Sequence, residues 1–186
     1  AAAAAIAFRR GDVTEADSGY FIAHGTDYSA VGAQTIPDSA ALAMTGNDEL
    51  LYTMLNHYDT PGYGFQIKQG ATTLTEQWDP RQGSSWNHLM MGQIDEWLFR
   101  NLAGIQNKPG TYGMRHLLIS PTLVGDMTFV NASTETLYGT VSVEYSRQGL
   151  TVEIPVGCDA DIVMKDGTKI ASVGSGVHTF RTVKRK

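Results

Sequence analysis

The hydrophobic pattern of the chain changes its period near residues 104–113, and this change limits the folds that the chain can adopt. Before that point, apolar residues recur at three- and four-residue spacing, which is typical of amphipathic helices. After it, apolar and polar residues alternate, as in the run Val141, Val143 and Tyr145. Alternation of this kind is typical of half-buried strands. The sequence therefore predicts a helical part followed by a β part.

Three helices are predicted in the helical part, over residues 38–44, 47–58 and 84–105. The second has Asn47 as a candidate N-cap, and the acidic residues Asp48 and Glu49 suit the dipole of its first turn. Residues 59–70, DTPGYGFQIKQG, are predicted to form an aromatic loop, and residues 11–37 to be irregular.

The predicted helix over 84–105 is apolar on most sides. Its apolar residues include Met90, Ile94, Leu98 and Leu102 at four-residue spacing, Trp86 and Trp97 beside them, and Leu89 and Phe99 elsewhere around the cylinder. A helix with this pattern is usually buried in a multi-helix assembly. About 100 residues with two or three helices do not readily close such a core, so we expect the helical part to belong to a larger assembly.

The β part contains several short alternating segments with turn signals between them. They are residues 140–146, 150–156, 161–165, 168–173 and 176–183. Asp166-Gly167 is a hairpin signal between the third and fourth segments. Short strands at this spacing predict a small antiparallel sandwich.

Composition excludes several classes of function. The chain has 186 residues, of which 42% are hydrophobic and 18% charged, so it is predicted to fold. Its net charge of −5 argues against a nucleic-acid partner and is compatible with a neutral ligand such as a sugar. No segment has the length of a membrane span. Neither a nucleotide signature nor metal-ligand spacing is visible, and we expect no cofactor and no metal.

Cys158 is the single cysteine, so neither an intramolecular disulfide nor a cysteine-rich zinc site is possible. The compartment is not fixed by this observation, because large secreted bacterial domains often need no disulfide. We favour a periplasmic or secreted location.

The region from Tyr63 to His88 combines aromatic rings with carboxylate, amide and imidazole groups. Aromatic rings can pack on the apolar faces of sugars, and the polar groups can bind sugar hydroxyls. This mixture suits a carbohydrate site. A loop packed on a helix, with Trp78 and Trp86 in the core and Glu76 as a paired surface acid, explains the same composition.

Residues 61–105, PGYGFQIKQGATTLTEQWDPRQGSSWNHLMMGQIDEWLFRNLAGI, hold three motifs in order. These are Gly-Ala-Thr-Thr-Leu-x-Glu-x-Trp, then Ser-x-Asn-His, then Gly-x-x-x-Glu-Trp-Leu-x-Arg. The stretch resembles the C-terminal part of the catalytic domain of α-L-rhamnosidases, glycoside hydrolase family 78. Residues after 116 resemble the β-sandwich that follows it, and the resemblance covers roughly residues 45–182.

This resemblance implies a partial (α/α)6 barrel followed by an antiparallel β-sandwich, and we predict domains at residues 1–110 and 111–186. It implies an inverting glycoside hydrolase with Glu76 as the general base. His88, Trp78, Tyr63 and Asn87 are the implied substrate-binding residues. The implied substrate is a glycoside or polysaccharide with terminal α-L-rhamnose.

The general acid of the resembled family lies upstream of the stretch that matches. The implied partner is therefore the upstream part of the same enzyme, and the 186-residue chain alone is expected to be inactive. Two alternatives remain: a non-catalytic sugar-binding module in which Glu76 only accepts hydrogen bonds, and a structural fragment that works when docked to the rest of the enzyme.

Overall fold

The computed structural model describes residues 47–59, 62–88, 91–92 and 94–181. The chain divides into two units, residues 1–97 and 98–186. The predicted helix over 38–44 and the predicted irregular chain over 11–37 lie outside the described residues. The predicted domain boundary between residues 110 and 111 stays a prediction. None of the described helices has the length and apolar character that crossing a membrane requires.

Helix α1, Asp48–Leu55, forms where the sequence predicts a helix. Its apolar side chains Leu50, Leu51 and Met54 are buried. Asn47 occupies the N-cap position, but its side chain makes no capping hydrogen bond. The stripe of buried side chains therefore accounts for the helix better than the predicted cap does.

The predicted aromatic loop over 59–70 is wrong, because part of it forms helix α2, Tyr63–Lys68. Gly64 explains how this helix fits. A Cβ atom at Gly64 would lie 2.9 Å from the carbonyl oxygens of Leu55 and His57. The absence of a side chain lets α2 begin against the C-terminal end of α1, and this tertiary contact overrides the local loop signal.

The predicted long helix over 84–105 is also wrong at its start, since residues 84–88 are not helical. Their backbone groups bond across to an earlier segment of the chain. The Glu76 N–H donates to the Ser85 carbonyl at 2.9 Å, and the His88 N–H donates to the Leu74 carbonyl at 2.9 Å. Backbone groups used in this hairpin cannot also serve the hydrogen bonds of a helix.

Within the predicted long helix, the described helical residues are Met91 and Gly92 in 3₁₀ conformation, helix α3, Ile94–Trp97, and a π-helical turn, Leu98–Leu102. Trp97 is buried, and its Nε1 donates to the buried Asp48 carboxylate at 2.8 Å. Trp86, in contrast, is 47% exposed and Phe99 is 41% exposed. All-round burial of this segment is therefore not achieved by the described residues.

The described residues of the second unit, 98–181, form eight strands. They are β1 Ile105–Asn107, β2 His116–Ile119, β3 Phe129–Thr136, β4 Gly139–Ser146, β5 Gly149–Ile154, β6 Asp159–Val163, β7 Lys169–Val173 and β8 Gly176–Arg181. One sheet has the order β1-β2-β6-β7 and the other has the order β3-β4-β5-β8. The predicted strands are present. The expectation of a purely antiparallel arrangement is wrong at one place, because β2 and β6 pair in parallel.

The two sheets enclose one apolar core, which is the arrangement of a β-sandwich. The first sheet contributes Ile105, Leu117, Ile119, Ala160 and Ile162, and the second contributes Val141, Val143, Leu150, Val152 and Ile154. The buried positions of β4 and β5 follow the period-two pattern of the sequence.

The turn predicted at Asp166-Gly167 joins β6 to β7. The Met164 N–H donates to the Thr168 carbonyl at 2.9 Å, and the Thr168 N–H donates to Asp166 Oδ1 at 2.8 Å. Gly167 has a φ of +84°, which glycine adopts without strain. The hairpin prediction is confirmed.

Asp161 on β6 accepts hydrogen bonds from three side chains. The donors are Lys169 Nζ at 2.8 Å, Ser172 Oγ at 2.6 Å and Lys108 Nζ at 2.9 Å. These bonds hold the pKa of the Asp161 carboxyl well below its usual range. The bond from Lys169 has the largest effect on this pKa, followed by those from Ser172 and Lys108. The carboxylate thereby connects β6 to β7 and to Lys108, the residue that follows β1.

We expect Asp161→Asn to lower the free energy of unfolding by about 1 kcal/mol at pH 7, since partly exposed ion pairs stabilise by this order. A carboxyl with a lowered folded-state pKa stabilises the fold above its unfolded pKa of about 4, and this contribution is lost as the pH falls through the folded-state value. The difference between parent and variant, measured by denaturant unfolding, should therefore be smaller at pH 2 than at pH 7. Glu144→Gln is the matched control, and an Asp161→Asn loss that does not change with pH would contradict the assignment.

Candidate active site

Residues 71–88 of the first unit form a hairpin, which we call the Glu76 hairpin. The two backbone bonds described above, from Glu76 to Ser85 and from His88 to Leu74, join its two sides. A third bond runs from the Thr73 hydroxyl to the Trp86 carbonyl. These bonds fix the two sides of the hairpin in register around Glu76.

A buried glutamine holds this hairpin on α2. Gln66 is 2% exposed, and its Nε2 donates to the carbonyls of Thr75 at 3.1 Å and Gln77 at 3.2 Å. The Thr75 hydroxyl donates to the same Gln77 carbonyl at 2.6 Å. The backbone on both sides of Glu76 is thus tied to one helix side chain.

The Glu76 carboxylate itself is only partly buried. Its Oε2 accepts a hydrogen bond from the Ser85 N–H at 3.3 Å. Among the described residues, no lysine, arginine or histidine pairs with it. The backbone of Glu76 is thus fixed, one carboxylate oxygen is oriented by an amide, and no described cation pairs with it. Such a carboxylate can accept a proton from water.

Asp79, the nearest carboxylate along the hairpin, is already engaged. It accepts from Arg81 Nε at 2.7 Å and Nη2 at 2.6 Å, and its Oδ1 also caps the 3₁₀ turn Pro80–Gln82 through the Arg81 N–H at 3.0 Å. The bonds to Arg81 lower the pKa of Asp79. Asp79 therefore braces the hairpin tip and is not a free second carboxylate.

Tyr63 and Trp78, two of the predicted substrate-binding residues, pack together. Their rings meet edge to face, with centroids 5.2 Å apart and planes at 87°. Trp78 is 6% exposed, and Tyr63 Oη donates to the Met91 carbonyl at 3.1 Å. Burial, followed by the negative charge of Asp95, raises the pKa of Tyr63. The structure places both rings in the core of the unit, and their contact with a sugar stays a prediction.

The indole nitrogen of Trp78 differs from the other buried polar groups of this site. It is buried, yet it has no hydrogen-bond partner within the described part of the chain. An unpaired buried donor costs about 1–3 kcal/mol. This N–H therefore needs an acceptor that the described residues do not supply.

His88 and Asn87, the other predicted substrate-binding residues, lie on the second side of the hairpin. His88 is half-buried and Asn87 is exposed, with its N–H donating to Ser85 Oγ at 3.3 Å. His88 precedes α3 and is not helical, although it falls within the predicted helix over 84–105. Its N–H bonds to the carbonyl of Leu74, two residues before Glu76, and its sugar-binding role stays a prediction.

A cleft of about 250 Å³ lies between α2 and the start of the hairpin. Tyr63, Gln66, Ile67, Thr72 and Leu74 are among its lining residues. Glu76 is not one of them. Over the described ranges, no cluster of three histidine, cysteine or acidic side chains could hold a metal ion.

The sequence did not indicate the supporting roles of Gln66 and Ser85. Gln66 lies between two large apolar residues, Phe65 and Ile67, inside the segment predicted as loop. A polar residue in that setting is a weak signal of a buried hydrogen-bonding role. Ser85 acts through its backbone groups, so its residue type carries no signal.

Two family profiles match the chain, one after the other. The first, bacterial alpha-L-rhamnosidase 6 hairpin glycosidase domain, matches residues 24–102. The second, bacterial alpha-L-rhamnosidase C-terminal domain, matches residues 104–179. The chain belongs to the bacterial α-L-rhamnosidase family. The first match begins at residue 24, so the start of the resemblance near residue 45 was placed too late.

Individual members of the α-L-rhamnosidase family are also similar to the chain. A Streptomyces avermitilis α-L-rhamnosidase is 29% identical over 170 residues, covering 75% of this chain and 16% of the relative. One from Formosa agariphila is 32% identical over 129 residues, covering 63% and 14%. The crystal structure of the Aspergillus terreus α-L-rhamnosidase is similar with a TM-score of 0.73 and 27% identity, over 83% of this chain and 20% of that one. The chain thus spans only a small part of each relative.

We expect Gln66→Met to lower the free energy of unfolding of the first unit by about 1–3 kcal/mol, because the Thr75 carbonyl would lose its buried donor. Denaturant unfolding followed by tryptophan fluorescence would measure the loss. Gln82→Met, at an exposed position of the hairpin tip, is the matched control. Equal midpoints for the two variants would show that the Gln66 bonds do not hold the hairpin.

Proposed function

We propose that this chain provides the general base, Glu76, of an inverting α-L-rhamnosidase. In this proposal, the first unit is the C-terminal part of an (α/α)6 catalytic barrel, and the β-sandwich follows it. The observation that carries the proposal is the fixation of Glu76: Gln66 holds the carbonyls of both neighbours, while the carboxylate stays unpaired with any described cation. The names of the relatives and of the matching family profiles support the substrate class.

Inversion requires two carboxyl groups about 6.5–9.5 Å apart, with a water between the base and the sugar. In the proposed reaction, Glu76 takes a proton from this water as the water oxygen bonds to C1 of α-L-rhamnose. The bond from C1 to the leaving oxygen breaks, and an acid protonates that oxygen. The products are β-L-rhamnose and the free alcohol of the glycoside or polysaccharide.

The geometry of the carboxylate suits this role. The Ser85 N–H orients Oε2, so the other oxygen remains available to accept the proton of a water. Oriented groups contribute to catalysis because no reorganisation is needed in the transition state. His88, Asn87, Tyr63 and Trp78 are the proposed sugar contacts around it.

The proposed general acid comes from the upstream part of the same enzyme. Three features of the first unit support a missing neighbour. Ile67 is 65% exposed and Tyr58 is 46% exposed, although both are large apolar side chains. The buried Trp78 N–H also lacks an acceptor among the described residues. We propose that the upstream part covers these side chains and that the 186-residue chain alone does not hydrolyse rhamnosides.

The decisive measurement is release of p-nitrophenol from p-nitrophenyl α-L-rhamnopyranoside by the longest natural chain that contains this segment. We expect Glu76→Gln to lower kcat by at least about a hundredfold, the low end of general acid–base contributions. Glu96→Gln, an exposed acid on α3 of the same unit, is the matched control and should keep near-parent activity. Full activity of Glu76→Gln would remove Glu76 as the base. If neither form cleaves but both bind rhamnose, the chain belongs to a non-catalytic sugar-binding protein.

The stereochemical course gives an independent test. Proton NMR of the first minutes of hydrolysis should show β-L-rhamnose before mutarotation. Glu76→Ala should regain turnover with added azide, because azide can attack C1 from the vacated side, expelling p-nitrophenolate and forming β-L-rhamnosyl azide. Initial formation of the α anomer would instead indicate retention and contradict the role given to Glu76.

A further inference from the structure

The second unit carries a groove of about 440 Å³ on the sheet β3-β4-β5-β8. Val130, Tyr145, Leu150 and Phe180, along its lining, pack toward the sandwich core. Side chains alternate between the two faces of a strand, so the residues beside these four face outward. The groove therefore lies on the outer face of the sheet.

Strand register arranges the outward side chains in rows. Asn131 pairs with Glu144, Glu144 with Thr151, and Thr151 with Thr179, which gives one polar row across all four strands. Neighbouring strands lie about 4.8 Å apart, so this row is about 14 Å long. That length matches one or two sugar rings.

The adjacent row contains Phe129, Ser146, Gly149 and Arg181. Gly149 presents no side chain between Ser146 and Arg181 in this row. A Cβ atom there would lie 2.4 Å from the Phe180 carbonyl oxygen, so only glycine lets β5 approach β8 this closely at this end of the groove.

Three polar side chains around the groove make no hydrogen bond to another described residue. The carboxylate of Glu144, the amide of Asn131 and the guanidinium of Arg181 are exposed and have no partner within the described residues. The hydroxyls of Thr151 and Thr179 contact each other at 3.2 Å. One acidic and one basic group cancel in charge, so the groove favours a neutral ligand with many hydroxyl groups.

Phe129 adds an apolar surface to this polar lining. It is 64% exposed at the start of β3, in the row next to Asn131 and Glu144. An exposed ring beside free hydrogen-bonding groups is suited to pack on the apolar face of a sugar while the polar groups bind its hydroxyls.

We propose that this groove is a second saccharide site, which binds rhamnose-bearing glycan separately from the Glu76 hairpin. The choice of rhamnose rests on the proposed function, whereas the preference for a neutral sugar rests on the groove itself. A site of this kind raises the local concentration of a polymeric substrate, because binding at one point makes binding at the other intramolecular.

The test uses the longest natural chain containing this segment in a Glu76→Gln background, so that the probe is not consumed. Isothermal titration with methyl α-L-rhamnopyranoside should show two sites per chain. Phe129→Ala and Glu144→Gln should each weaken one of them by about tenfold, as expected for loss of a ring contact or a charged acceptor. Leu137→Ala and Glu153→Gln, exposed residues of the same sheet region outside the groove, are the matched controls.

The same groove variants in an otherwise parent chain should leave kcat/KM for p-nitrophenyl α-L-rhamnopyranoside and the unfolding midpoint unchanged. A single site unaffected by Phe129→Ala overturns the inference and leaves the proposed function standing. Loss of stability together with activity in Phe129→Ala also overturns it, since the groove would then be a packing face for another part of the protein. Rhamnose binding that depends on Phe129, without any hydrolysis by the parent, supports the groove and refutes the proposed function.

Discussion

The side-chain amide of Gln66 donates two hydrogen bonds, to the carbonyls of Thr75 and Gln77, and the position of the Glu76 carboxylate depends on them. The hairpin could pair its two sides without this residue. Its attachment to α2, however, requires a donor that reaches from the helix to both peptide groups around Glu76. Because Gly64 lets α2 begin against α1, a series of contacts connects the first helix to the Glu76 segment.

The groups that hold the Glu76 segment in place are different from the Glu76 carboxylate itself. The groups that hold the segment in place are backbone carbonyls and a buried amide, none of which changes charge in the neutral pH range. The carboxylate carries only one amide contact and no described counter-ion. Asp79 shows the opposite condition a few residues away, since its two bonds to Arg81 use both of its oxygens. Asp79 and Glu76 therefore differ in their partners: Asp79 is bound by a guanidinium, whereas Glu76 accepts a single backbone N–H.

The sequence predicted those elements whose pattern and packing agree. Helix α1 and strands β4 and β5 each have one buried face and one more exposed face, and the residue pattern records this directly. The prediction of a helix over 84–105 was wrong at its start. The apolar residues of this segment fit a helix, but its first residues form backbone hydrogen bonds with Leu74 and Glu76, which no local pattern indicates. Strand β3, with the sequence FVNASTET, has no alternation of large apolar residues, and the sequence did not predict it. Glu76 was indicated by the motif it shares with the family, whereas the roles of Gln66 and Ser85 depend on which backbone groups the fold brings near them.

The parallel pairing of β2 with β6 has a consequence for how the sandwich forms. Residues 120–158, which include β3, β4 and β5, lie between these two strands in the chain. The β3–β4–β5 meander consists of sequence neighbours and can assemble locally, but the other sheet must wait until the chain has passed through the whole meander. Long-range pairing of this kind slows folding and leaves strand edges exposed in the meantime. During synthesis, one edge of β2 stays unpaired until β6, which begins at residue 159, has left the ribosome. We expect the sandwich to be most prone to aggregation during this interval.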